Sequence, residues 1–174
     1  CAEGALTPCK ASAEVASRSD DSAVAEEAGR LLQRVEAWDE VHVTKLGVLL
    51  PLSGPFQSHG QAALEGIQQA LANVNNVDLV VRDTAGKAGQ AAQSAQELVL
   101  DEHVVAILGP IGEIEGRAAV MSASRFRVPH VVLSSNPSVS EGVQTAVRVR
   151  LSAEEKVKAL ARYAVTELGV QKAA

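Results

Sequence analysis

Several residues of this sequence are of types that do chemistry. Ser53, Ser134 and Ser135 offer hydroxyls for nucleophilic attack, Asp83 a carboxylate that can accept a phosphoryl group, and His59 an imidazole. None has the neighbours its chemistry needs. No serine sits in a GxSxG turn, and no local histidine–acid pairing supports a triad. Gly-Lys-Ser/Thr is absent, so there is no phosphate loop of the Walker type. Residues 109–116 (GPIGEIEG) are Gly-spaced but do not spell GxGxxG, and Pro110 breaks the turn a dinucleotide needs. Asp83 ends an apolar run, where an aspartate ordinarily caps the following turn. Glu113 and Glu115 share one helix start, which acidic side chains stabilise. The four histidines (His42, His59, His103, His130) and the two cysteines (Cys1, Cys9) lack metal-ligand spacing. The residues point away from an enzyme, a metal or a cofactor.

The elements that position these residues alternate. Short apolar runs at 45–51, 77–82, 104–108 and 130–133 read as strands, with 145–151 as a fifth. Segments 60–74, 90–100, 112–126 and 152–168 have helical spacing. The last opens with Ser152 and Glu155, a capping box. Alternation of nearly continuous apolar strands with helices predicts an α/β fold: a doubly wound parallel sheet sandwich. Ligands of such sheets bind outside the carboxyl ends of the strands. Four loops leave those ends: 52–60 (LSGPFQSHG), 83–89 (DTAGKAG), 109–113 (GPIGE) and 134–138 (SSNPS). Their Gly, Pro, Ser and Asn let backbone N–H groups approach a ligand, and helix N-termini there favour anions.

Charge divides the 174 residues near position 40. Residues 1–40 hold nine acids and four bases, whereas 41–174 hold twelve of each. Residues 1–19 read as a flexible tether rich in Ala, Ser and Glu. Residues 20–40 read as an amphipathic helix with Val24, Ala28, Leu31, Val35 and Trp38 on one stripe. Residues 41–174 form the main domain. The net charge of −5 and 2% aromatic content exclude a basic nucleic-acid surface with stacking platforms. No apolar run approaches the ~20 residues of a membrane span. The leading residue is Cys1. It is expected to carry lipid, as the first residue of a mature bacterial lipoprotein does. The alternatives are a Cys1–Cys9 disulfide and an arbitrary chain boundary.

In order and without large gaps, KLGVLLPLSGPFQSHGQAALEGIQQALANVN (45–75), VVRDTAGKAGQAAQSAQELV (80–99), VVAILGP (104–110) and VPHVVLSSNPS (128–138) resemble the type I periplasmic binding proteins of the leucine/isoleucine/valine receptor group. LLPLSG, RDT and ILGP, with the leading cysteine, are also similar to the penicillin-binding-protein activator branch. The resemblance spans about residues 44–173 and implies the N-terminal lobe of a two-lobed clamp, with the second lobe missing. It implies an extracytoplasmic solute-binding lipoprotein on the periplasmic face of a bacterial membrane. Its partners would be a small polar, amino-acid-like ligand and an ABC permease. The activator branch implies instead an envelope lipoprotein that engages a cell-wall synthase and takes no small ligand. Carried residue by residue, the resemblance gives ligand contacts at Ser53, His59, Glu113, Ser134, Ser135 and Asn136.

Glu113 departs from that pattern, because amino-acid receptors tend to place a small hydroxyl there for the ligand carboxylate. Two unit negative charges 4 Å apart cost roughly 4 kcal/mol at an effective dielectric of 20. The substitution turns the expectation toward a cationic ligand, a protein partner or an unused pocket.

Overall fold

The computed structural model describes residues 6–39 and 42–172. Two helices lead, α1 (Leu6–Ala16) and α2 (Ser22–Asp39). The remainder alternates: β1 (His42–Leu50), α3 (Gln57–Leu71), β2 (Asp78–Asp83), α4 (Ala88–Leu100), β3 (Val104–Leu108), α5 (Glu113–Ser124), β4 (His130–Val132), a short 3-10 turn at Pro137–Val139, β5 (Ala146–Arg148) and α6 (Ala153–Thr166). The strands pair in parallel in the order β2-β1-β3-β4-β5. This is the α/β parallel sheet that the alternation predicts.

The leading segment differs from the expected tether. Residues 6–16 are helical, which the alanines, lysine and glutamate of this stretch favour, and Pro8 falls in the first turn, where a missing N–H costs nothing. α1 packs along α2: Ala13, Ala28 and Val35 are buried, and Lys10 pairs with Glu36 at 3.8 Å. α2 begins as its sequence suggests, with Asp21 Oδ1 accepting the Ala23 N–H at 2.9 Å. It lies against α4. Cys1 and the side chain of Trp38 lie outside the described residues.

The sheet is covered unevenly. α4 and α5 pack together on one face over a core of Leu49, Leu98, Val99, Val104, Ile107, Ala119 and Phe126. Across the strands, register aligns Val48 with Leu108, Leu108 with Val131 and Val131 with Val147. Burial falls along this row, from 0% exposure at Val48 to 59% at Val147. Beyond β5, α6 opens with the anticipated capping box. Ser152 Oγ accepts the Glu155 N–H at 3.2 Å, and Glu155 Oε2 accepts the Ser152 N–H at 2.6 Å. No residue of α6 is buried, and Val157, Leu160, Tyr163 and Leu168 are exposed.

Close backbone approaches fix the strand ends. A Cβ on Gly60 would stand 2.1 Å from the Pro51 carbonyl oxygen, so glycine lets the first turn of α3 cross the end of β1. Gly109 has φ +95°, and a Cβ there would stand 1.9 Å from the Leu49 carbonyl oxygen. That carries the loop after β3 tight against β1. At the start of β4, His130 is 2% exposed and its Nε2 donates to the Gly109 carbonyl at 2.7 Å. Its Nδ1 has no partner.

Candidate functional site

β1 lies between β2 and β3, so the chain leaves β1 toward one edge of the sheet and returns across it to the other. That reversal opens a crevice above the carboxyl ends of β1 and β3. A cleft of about 430 Å³ occupies it, lined by Pro51, Phe56, His59, Gly86, Ile111 and residues 112–115. A groove of about 750 Å³ flanks α5 among Arg117, Met121, Arg127 and Thr145. Its members Arg127 and Thr145 precede β4 and β5, at the opposite end of the strands. Position therefore selects the first cleft.

Asp83 laces its rim. Oδ1 accepts the N–H groups of Leu52 at 2.8 Å, Ser53 at 3.2 Å and Ala85 at 2.8 Å, and Oδ2 accepts the Ser53 hydroxyl at 2.6 Å. Burial by itself would raise the Asp83 pKa. The Ser53 hydroxyl and the three N–H groups outweigh it and hold the carboxyl below its ordinary value. Asp83 thus caps its turn and also fastens the loop after β1 to the loop after β2, alongside Thr84 N–H to the Leu50 carbonyl at 2.9 Å. Its carboxylate accepts four hydrogen bonds, three from backbone N–H groups and one from a hydroxyl.

The loop after β3 joins the same rim. Glu115 is 4% exposed; Oε1 accepts the Gly112 N–H at 3.0 Å and Oε2 the Thr84 hydroxyl at 2.5 Å. One carboxyl group thus caps α5 and ties it to the end of β2. Glu113 behaves differently. It is exposed, and among the described residues no hydrogen bond or ion pair engages it. Arg117, one turn along α5, is turned away to the carbonyls of Ser138 at 3.2 Å and Glu141 at 2.8 Å.

The structure brings His59 and Glu113 together on the cleft wall. Ser53 sits at the rim with its hydroxyl committed to Asp83. The loop after β4 is organised by its own side chains. Ser134 Oγ accepts the Asn136 N–H at 3.2 Å, Asn136 Oδ1 accepts the Ser138 N–H at 2.9 Å, and the Ser135 carbonyl accepts from Arg148 at 3.4 Å. None of these three lines the 430 Å³ cleft. Sequence reasoning did not select Phe56, Ile111, Ile114 or the Thr84–Glu115 pair. Phe56 had a signal, as one of four aromatic residues in the chain. The Thr84–Glu115 contact joins residues 31 apart and had none.

The sequence profile of the periplasmic binding protein family matches residues 43–174. The chain belongs to this family. A solved relative in the family is the leucine-binding protein LivK of Thermotoga maritima, with 32% identity, a TM-score of 0.63, and coverage of 73% of this chain and 38% of that one. An ABC transporter substrate-binding protein from Sphaerobacter thermophilus aligns with 25% identity and a TM-score of 0.65 over 74% of this chain and 38% of its own. Glutamate receptor 2.8 of Arabidopsis thaliana is 26% identical over 133 residues, 71% of this chain and 14% of the receptor. This family member therefore spans well under half the length of the relatives it matches. The matched region is the sheet-bearing part of the chain, and α1 and α2 precede it. The family is made up of binding proteins.

Proposed function

We propose that residues 41–174 are the N-terminal lobe of an extracytoplasmic solute-binding protein. Its cleft contributes one wall of a site for a small polar solute destined for an ABC permease or a sensor. The observation that carries this reading is the cleft itself. It lies at the strand-order reversal, and its rim is fixed in advance by Asp83 and Glu115. Its relatives supply the solute classes to test: the solved structures include a leucine-binding protein, a branched-chain amino acid transporter substrate-binding protein in complex with isoleucine, and a solute-binding protein in complex with 4-hydroxybenzoate. The candidate contacts are His59 and Glu113 on the wall, Ser53 at the rim, and Ser134, Ser135 and Asn136 on the neighbouring loop. The bare apolar side chains of α6 and Val147 are surface that a second lobe would cover. Closure of two lobes over the solute would then be the event a partner reads.

Cys9 is disulfide-bonded, which suits an oxidising compartment outside the cytoplasm. A lipid thioether at Cys1 and an intrachain disulfide to Cys9 compete for one sulfur. The intact mass of protein extracted from its own cells separates them: an acyl increment supports the anchor, and the loss of two hydrogens supports the disulfide. Isothermal titration of the native protein with amino acids and aromatic acids tests the binding role. Saturable heat that His59→Ala weakens is expected. The absence of saturable binding across the panel would remove the solute-binding reading and favour engagement of a cell-wall synthase.

A further inference from the structure

We infer that the cleft selects an organic cation, an amine or ammonium group on a compact apolar body, over a solute bearing a carboxylate. This rests on the solute-binding reading and specifies the charge of its solute. The lining is apolar at Pro51, Phe56, Ile111 and Ile114, and no lysine or arginine belongs to it. The cations nearest in sequence are elsewhere. Lys87 follows Gly86 but does not line the cleft, and Arg117, which shares a neighbouring groove with Glu113 and Ile114, donates to the carbonyls of Ser138 and Glu141.

A carboxylate entering here would look for the N-terminus of α5, where free N–H groups and the helix dipole favour an anion. That place already carries negative charge. Glu115 accepts the Gly112 N–H, and Glu113 adds a second acidic side chain in the same turn. An entering anion would meet two acidic side chains at the helix start, with Glu113 exposed on the cleft wall. An entering cation meets the opposite. Among the described residues the Glu113 carboxylate has no partner to give up, and Phe56 lines the same cleft with an aromatic ring, a group whose face attracts positive charge. A volume of about 430 Å³ accommodates a solute of several carbon atoms plus one ammonium group.

The test uses four probes with the same branched five-carbon tail and different head groups: isopentylamine, 4-methylpentanoate, leucine and isopentanol. Amide shifts of the 15N-labelled 174-residue chain at Gly86, Gly112 and Glu113 report occupancy of the cleft. Isopentylamine is expected to bind about five- to tenfold more tightly than 4-methylpentanoate or leucine. Glu113→Gln, an exposed change that keeps the side-chain shape, is expected to remove that advantage and leave isopentanol unaffected. Binding of 4-methylpentanoate or leucine at these amides with equal or higher affinity would overturn the charge assignment and leave the solute-binding reading standing. Failure of all four probes to shift these amides up to about 10 mM would overturn both.

Discussion

The burial of His130 makes the fold sensitive to acid. The residue lies at the start of β4, between β3 and β5, and is 2% exposed. Burial drives its pKa down from 6.5 to about 4, against a smaller opposing pull from the Gly109 carbonyl. The folded protein therefore holds a neutral ring over a range where the unfolded chain already binds a proton. Stability is complete above about pH 6.5, declines as pH falls toward 4, and is flat with respect to this group below that. At about 1.4 kcal/mol per pH unit, the interval from 6.5 to about 4 amounts to roughly 3 kcal/mol. Asp83 does not contribute in this window, because its carboxyl is held below 3.8 and titrates at lower pH. Urea unfolding from pH 7 to pH 4.5 reads the effect directly. The parent chain is expected to lose about 2 kcal/mol over that span. His130→Gln, which retains a donor toward the Gly109 carbonyl, is expected to show a flatter profile, even where its stability at pH 7 is lower. Parallel profiles for the two proteins, or a His130 ring that titrates near 6.5 by NMR in the folded state, would refute the argument.

Other substitutions probe the rim and the elements around it. Asp83→Ala strands three N–H groups and a hydroxyl, and should cost about 2–3 kcal/mol in urea unfolding while weakening solute binding by the native protein. Gly60→Ala places a methyl group 2.1 Å from a backbone oxygen and should lower the melting temperature by at least about 5 °C; an unchanged value would mean that α3 does not cross β1 as described. Ser152→Ala removes the N-cap of α6 and should raise hydrogen-exchange rates in its first two turns, corresponding to about 1 kcal/mol of local stability. Leu160→Lys on the exposed face of α6 should change the stability of the 174-residue chain by less than about 0.5 kcal/mol, as its unfolding curve will show.

The order of strands and helices was legible because the body of the chain punctuates itself. Runs such as VVAIL at 104–108 are too short and too apolar for anything but a covered strand, and Ser152 with Glu155 marks a helix start that the structure reproduces. Boundaries were less legible. α3 begins three residues before its expected Gly60, since its start at Phe56 has no capping side chain to signal it. Residues 6–16 show no apolar stripe, and their helix depends on alanine content and on α2 as a packing partner. At the site, the loops could be assigned from topology alone. The division of labour within them could not. Glu113 and Glu115 are equivalent acids in sequence, yet one is free on the cleft wall and the other is buried against Thr84. That difference comes from the direction in which the first turn of α5 presents each residue, which is fixed only when β2 and β3 flank β1.

For the proposed solute-binding role, the lacing of the rim bears on the rate of capture. Because Asp83 and Glu115 bind backbone groups of three separate loops, those loops are already in place before any solute arrives. Little disorder has to be frozen out on contact, so encounter resembles docking onto a fixed surface. Changes to the lining of such a surface act chiefly on how long a solute stays, while arrival remains governed by diffusion and by the charge at the mouth. Glu113 stands at that mouth, and its influence on arrival would fade as salt is added, whereas that of Phe56 would not.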